Sequence, residues 1–183
     1  MGCYDEIFEA IKKYAEAYDL LEGLQGKRDD LLPVGDQKTG VIGEFYGRLF
    51  AKRQYSDSEH RYGSPSQPAW DITIRRSGQG GHKIQIKTVS AYSKTNRVSI
   101  IHPGWHELYL LRLDKDFQPE GFWTLLASRV DWSSDKLKGS AMPRPHAPNS
   151  GSQSFSNATD KLDVLLSILA EVNRPTDPTS EGA

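Results

Sequence analysis

The chain has 183 residues, 37% of them hydrophobic and 26% charged, and a formal net charge of -1. That length suits one ordinary globular domain whose core needs no staples, and the single cysteine, Cys3, excludes an internal disulfide framework or a cysteine-based zinc cluster. The apolar runs around Leu108–Leu113 and Val164–Leu169 are far shorter than a membrane span.

The opening, MGCYDEIFEAIKK, is acidic and amphipathic and lacks the basic start and apolar stretch of a secretory signal. Glu6 also stands where an N-myristoylation signal carries Ser or Thr. A reducing, cytoplasmic setting is expected. From Asp5 to Leu24, Ile7, Phe8, Ile11, Tyr14, Ala15, Tyr18 and Leu21 recur at three- and four-residue steps, which predicts a helix ended by Gly23 and Gly26. After a polar connection, Ile42, Phe45, Tyr46, Leu49 and Phe50 make the apolar stripe of a second helix over Val41 to Arg53. Gly43 and Gly47, four apart, are poor helix formers, so close packing of that helix is their expected reason.

Tyr55 to Gln67 is polar and reads as a loop, with Gly63, Ser64, Pro65 and Ser66 at its end. Two alternating runs follow, DITIR and KIQIK, joined by the turn RSGQGGH. Further strands are expected over Arg97–Ile101, Glu107–Leu113 and Gly121–Ala127; HELYLLRL is apolar almost throughout, as a strand covered on both faces should be. Met142 to Ser154 is rich in Pro, Ser and Gly and reads as a long loop. A final helix over Thr159–Asn173 precedes a tail, 174–183, expected to be disordered. The order predicts one α/β (α+β) domain over residues 1–173, built on a mixed sheet flanked by helices.

The charges are unevenly placed. Between Asp71 and Ile100 the sole acid is Asp71, against Arg75, Arg76, Lys83, Lys87, Lys94 and Arg97. A basic middle with one carboxylate suits a polyanion, although a solvated strand face would look similar. If the two runs pair with Arg76 opposite His82, Ile74 meets Ile84, Ile72 meets Ile86, Thr73 meets Gln85 and Asp71 meets Lys87. Asp71, Gln85 and Lys87 then share one face and four isoleucines the other. A carboxylate and an amide oxygen there could share a divalent cation such as magnesium or manganese, with Lys87 orienting water and neutralising phosphate charge. Glu44 is the candidate for a further carboxylate from the second helix.

GEFYGRLFAKR, SQPAWDITI and KIQIKTV together resemble the PD-(D/E)xK nuclease superfamily, the restriction-endonuclease-like fold, over roughly Val41 to Ala91. In that pattern a helical Glu precedes an Asp at a strand start and a (D/E)xK triplet on the next strand. Glu44, Asp71 and Lys87 match it residue by residue, Gln85 replaces the second acid, and Pro68 stands near the expected proline. The resemblance implies a Mg2+- or Mn2+-dependent endonuclease acting on DNA, with a role in restriction or host defence. Asp71, Gln85 and Glu44 would hold the metal, and Lys87 would act beside it. Arg75, Lys83, Tyr92, Lys94 and Arg97 are candidates for gripping a phosphate backbone.

Each residue also has a plainer role. Asp71 could cap the turn, Lys87 and Gln85 could be solvated strand residues, and Glu44 could pair with Arg48 at i,i+4. Gln85 favours an alternative, a catalytically silent DNA-binding or protein-interaction module of the same fold. RNA is the other substrate to consider, and a homodimer is compatible with the sequence. A zinc site at His102 and His106 is disfavoured because Pro103-Gly104 prevents the helix that would align them. SGQGG lacks the Lys-Ser/Thr of a phosphate loop. Trp105, Trp123 and Trp132 are expected as core anchors.

Overall fold

A computed structural model of the chain describes residues 3–25, 38–63, 69–75, 80–130, 137, 140–145 and 151–173. Three helices, α1 (Cys3–Gln25), α2 (Thr39–Gln54) and α3 (Leu162–Val172), accompany six strands: β1 (Glu59–Tyr62), β2 (Ile72–Arg75), β3 (His82–Ser90), β4 (Glu107–Leu113), β5 (Pro119–Leu126) and β6 (Thr159–Asp160). The strands form one sheet in chain order, β1 to β6. Every pairing is antiparallel except β3 with β4, which run parallel. The fold is therefore α+β with a mixed sheet flanked by helices, as the order of patterns predicts.

Side-chain alternation divides the core into two layers. Ile72, Ile74, Ile84, Ile86, Tyr109 and Leu111 face all three helices, meeting Ile11 of α1, Tyr46 and Phe50 of α2 and Leu165 of α3. The opposite face carries Val89, Leu108, Leu110, Trp123 and Leu125, covered by Val98, Ile101, Trp105, Leu137, Met142 and Phe155 from irregular chain. Because β4 supplies both layers, six of its seven residues are buried, which explains its nearly unbroken apolar run.

Five expectations change. The Tyr55–Gln67 loop contains β1, a short charged strand whose polar composition hides it: Glu59, His60, Arg61 and Tyr62 pair along β2 at the sheet margin. Arg97–Ile101 is not a strand. Arg97 makes one isolated bridge to Ala141, and Val98 and Ile101 are buried as plugs instead. The last helix starts at Leu162, since Thr159 and Asp160 pair with Thr124 and Trp123 of β5; the Asp160 carboxylate then accepts the Leu162 N–H at 2.9 Å. Gly23 does not end α1, which runs to Gln25. Of the Met142–Ser154 loop, residues 146–150 lie outside the described residues, as do Pro68, Trp132 and the tail 174–183. Met142 itself is fully buried and its N–H donates to the Asn96 carbonyl at 2.9 Å.

The register of the hairpin is the fifth change. Ile72 pairs with Ile84, Thr73 with Lys83 and Ile74 with His82, two residues from the expected alignment. A shift of two keeps every side chain on its face, so the isoleucines still point at the helices. Arg75 pairs with Glu59 of β1. The difference matters because it shortens the contact of β2 with β3.

At the far end of the helix-facing layer a buried carboxylate closes the fold. Glu107 is 4% exposed, accepts the Tyr55 hydroxyl at 2.8 Å and lies 3.4 Å from His82 Nε2. His82 stacks on His106, ring centroids 5.3 Å apart, and His106 Nδ1 accepts the Lys83 N–H at 2.9 Å. Removing one partner of a buried ionisable group leaves its desolvation uncompensated. Tyr55→Phe should therefore lower unfolding free energy by about 1–3 kcal/mol in urea denaturation. An unchanged midpoint would mean that His82 alone satisfies the carboxylate.

Candidate functional site

β3 is nine residues long, yet β2 pairs only with its first part. On its other side β4 accompanies β3 from Ile84 to Ser90. Beyond the β2 contact, one margin of β3 therefore lacks a neighbouring strand among the described residues, and Asp71 stands at the point where β2 diverges. Its N–H donates to the Ile84 carbonyl at 2.8 Å, and its Oδ2 accepts the Ile86 N–H at 2.6 Å. The carboxylate thus substitutes for a strand partner beside Gln85. This differs from the expected Asp71–Lys87 pairing, and it gives Asp71 a structural bond at the open margin of β3.

A carboxylate bonded through one oxygen can still offer the other. Burial pushes the Asp71 carboxyl above its usual range; the Glu44 charge adds to that, while the Ile86 N–H, Lys87 and Arg48 act in the opposite sense. Burial also pulls the Lys87 ammonium below its ordinary value, opposed by Asp71. Lys87 Nζ donates to Ser99 Oγ at 3.0 Å. Gln85 is 2% exposed and belongs to the interior, so neither Gln85 nor Lys87 is simply a solvated strand residue.

Glu44 reaches the site because α2 lies almost in contact with β3. A Cβ on Gly43 would stand 1.9 Å from Thr88 Oγ1, and one on Gly47 would stand 2.6 Å from Ile86 Cδ1. The two glycines remove the side chains that would hold helix and strand apart. Glu44 and Arg48 follow them directly and lie at the margin of that contact. Arg48 Nη2 donates to Glu44 Oε2 at 2.7 Å, and the guanidinium lies over the Tyr62 ring at 4.3 Å. The i,i+4 ion pair is thus present, in a position where its charges also act on Asp71.

Asp71 lies against the stretch of β3 that carries Gln85 and Lys87, and the charges of Glu44 and Lys87 act on its carboxyl. The structure scatters the backbone-gripping candidates. Lys83 Nζ lies 3.6 Å from the centroid of the Trp70 ring. Arg75, Lys94 and Arg97 are exposed. Tyr92 packs its ring on Tyr18, centroids 4.4 Å apart, and donates its hydroxyl to the Lys115 carbonyl, so it serves the α1 packing. Two further residues belong to the site. Ser99 arrives on a nonlocal connection, and Arg48 is legible only as the helical neighbour of Glu44.

Two acids and one amide oxygen are donors of the kind a hard divalent cation takes. Among the described residues no three His, Cys, Asp or Glu side chains converge on a metal-sized site; the cluster has two acids, and its further donor is an amide. No family model and no curated protein matches the chain. Among the described residues no helix is long and apolar enough to cross a membrane.

The carboxyl shift has a consequence for stability. A raised folded-state value means that the folded protein binds more protons than the unfolded chain between the two values. Stability contributed by Asp71 is then present below the ordinary carboxylate value and is lost as pH rises through the folded one. At neutral pH without metal, Asp71→Asn keeps an acceptor for Ile86 N–H and removes a half-buried charge. Its melting temperature should rise by about 2–4 °C. A fall in thermal scans would assign the carboxylate a purely structural role.

Proposed function

We propose that the chain is a divalent-metal-dependent nuclease that hydrolyses phosphodiester bonds in DNA. The observation that carries this reading is Asp71, its carboxylate turned to the open margin of β3 beside Gln85, with Glu44 and Lys87 within electrostatic reach. Structural carboxylates are normally paired or solvated. This one is half-buried, raised and under the influence of a second acid, a combination that favours a functional site. A divalent cation bound there would polarise the phosphate and activate water. The protein's own part is to hold Asp71 by the Ile86 N–H, to present the Gln85 amide from a buried strand position, and to keep Lys87 against Ser99 where a phosphate would meet it. The resemblance of GEFYGRLFAKR, SQPAWDITI and KIQIKTV to the PD-(D/E)xK superfamily supports the same assignment. It also supports a cytoplasmic role in restriction or host defence.

Purified protein should cleave plasmid or linear duplex DNA with Mg2+ or Mn2+, and Asp71→Asn should not. Cleavage of RNA but not DNA under the same conditions would redirect the substrate. Absence of cleavage on every DNA form with either metal would refute the enzymatic reading.

A second reading is favoured by Gln85. An amide attracts a cation less strongly than a carboxylate, and Glu44 is already engaged by Arg48. A silent module of this fold would bind DNA with a salt-dependent affinity and take no metal. Calorimetric titration with Mn2+ separates the two.

A further inference from the structure

Arg48 occupies an unusual place for an ordinary helix-surface cation. Its guanidinium meets the Glu44 carboxylate at 2.7 Å and rests on the Tyr62 ring at 4.3 Å, and its charge also reaches Asp71. It is a positive charge paired with one acid of the site and felt by the other. Tyr62 belongs to β1 and Glu44 to α2, so the guanidinium is braced from two elements across the margin of the sheet.

We propose that Arg48 is a positioning residue that stands in for the metal: it holds Glu44 while the cation is absent and, once Glu44 turns to the cation, is released to bind a phosphate of the DNA backbone. The proposal rests on the metal-dependent reading above. Its chemistry follows from the guanidinium, which stays protonated and matches carboxylate and phosphate oxygens equally well in a planar fork. A cation arriving between Glu44 and Asp71 repels Arg48 and competes for the same carboxylate. An incoming phosphate gives the displaced guanidinium an anion of similar geometry. Tyr62 keeps it nearby meanwhile, since stacking on the ring face does not depend on Glu44. Metal and DNA would thus reinforce each other's binding through a single side chain.

The test uses the full chain and calorimetry with Mn2+ alone, on wild type, Asp71→Asn, Arg48→Met and Tyr62→Leu. Tyr62 is 42% exposed, so its replacement guards against a folding defect in Arg48→Met. Arg48→Met should bind Mn2+ about three- to fivefold tighter, the scale of a partly exposed ion pair removed, and Tyr62→Leu should shift affinity in the same direction by less. Binding of a short uncleaved duplex in Ca2+ should weaken in Arg48→Met, with the salt slope reduced by about one. Unchanged or weaker Mn2+ binding in Arg48→Met, or unchanged DNA affinity, would overturn the proposal even when wild type binds Mn2+ through Asp71. Failure of wild type to bind Mn2+, or binding indifferent to Asp71→Asn, would overturn the metal reading and this proposal with it.

Discussion

Lys87→Ala should reduce DNA cleavage by about 10²–10³-fold while leaving Mn2+ affinity nearly unchanged. The magnitude is that of removing one fixed donor from developing phosphate charge. The separation of the two readouts follows from position. Lys87 is no ligand: it lies two residues past Gln85 on β3, on the same face, and its ammonium is anchored to Ser99 Oγ. Burial lowers its proton affinity and Asp71 restores part of it. If the ammonium form is what the reaction uses, the Lys87-dependent rate falls as pH rises through a value below that of an ordinary lysine. Ser99→Ala should then reproduce a small part of the loss, because the ammonium keeps its charge but not its orientation. Single-turnover cleavage beside calorimetric metal binding provides the measurement. Equal rates for Lys87→Ala and wild type would remove Lys87 from the chemistry.

Gly43→Ala should destabilise the protein by about 1–2 kcal/mol, even though alanine is the better helix former. Helix propensity favours the substitution by about 1 kcal/mol. Against it, the added methyl would stand 1.9 Å from Thr88 Oγ1, 2.6 Å from Cγ2 and 2.7 Å from Cβ. Rotating Thr88 about χ1 cannot clear its own Cβ, so helix and strand must separate. Overpacking of this kind costs about 1–3 kcal/mol or more, and the close approach places the change at the upper end. Thr88→Ala in the same chain removes two of the three clashing atoms and should restore part of the loss, which a double-mutant cycle in urea would read. The displacement also carries Glu44 away from Asp71, so cleavage should fall more than stability does. A Gly43→Ala protein as stable as wild type would mean that α2 does not ride on β3 as closely as described.

Much of this arrangement was legible in the residues. The Gly43/Gly47 spacing predicted a helix pressed on something, and Ile86 and Thr88 are what it meets. The alternation of DITIR and KIQIK predicted two strands with four isoleucines on one face, which the core confirms. Side-chain period two is why the face assignment survived a register error: a slip of two residues is invisible to it. What escaped was set by partners distant in sequence. β1 pairs along only one of its long edges among the described residues and is polar, so no apolar alternation marks it. The extra bond of Asp71 to Ile86 N–H arises where β2 ends early, and that end depends on the length of the turn rather than on local propensity. Arg97–Ile101 has strand-like composition, but its apolar side chains are taken up by the layer beneath β4, where Val98 and Ile101 are buried. Ser99 reaches Lys87 only through the long crossover that a parallel β3–β4 junction requires.

The outer strands bear on self-association. Among the described residues the sheet terminates in β1, four residues with Glu59 and Arg61 ion-paired at 2.7 Å, and in β6, two residues long. Short, charged or truncated margins offer too few free backbone groups to recruit another chain by β-augmentation. A second copy that met the sheet at β1 or β6 would do so through side chains rather than by prolonging the sheet.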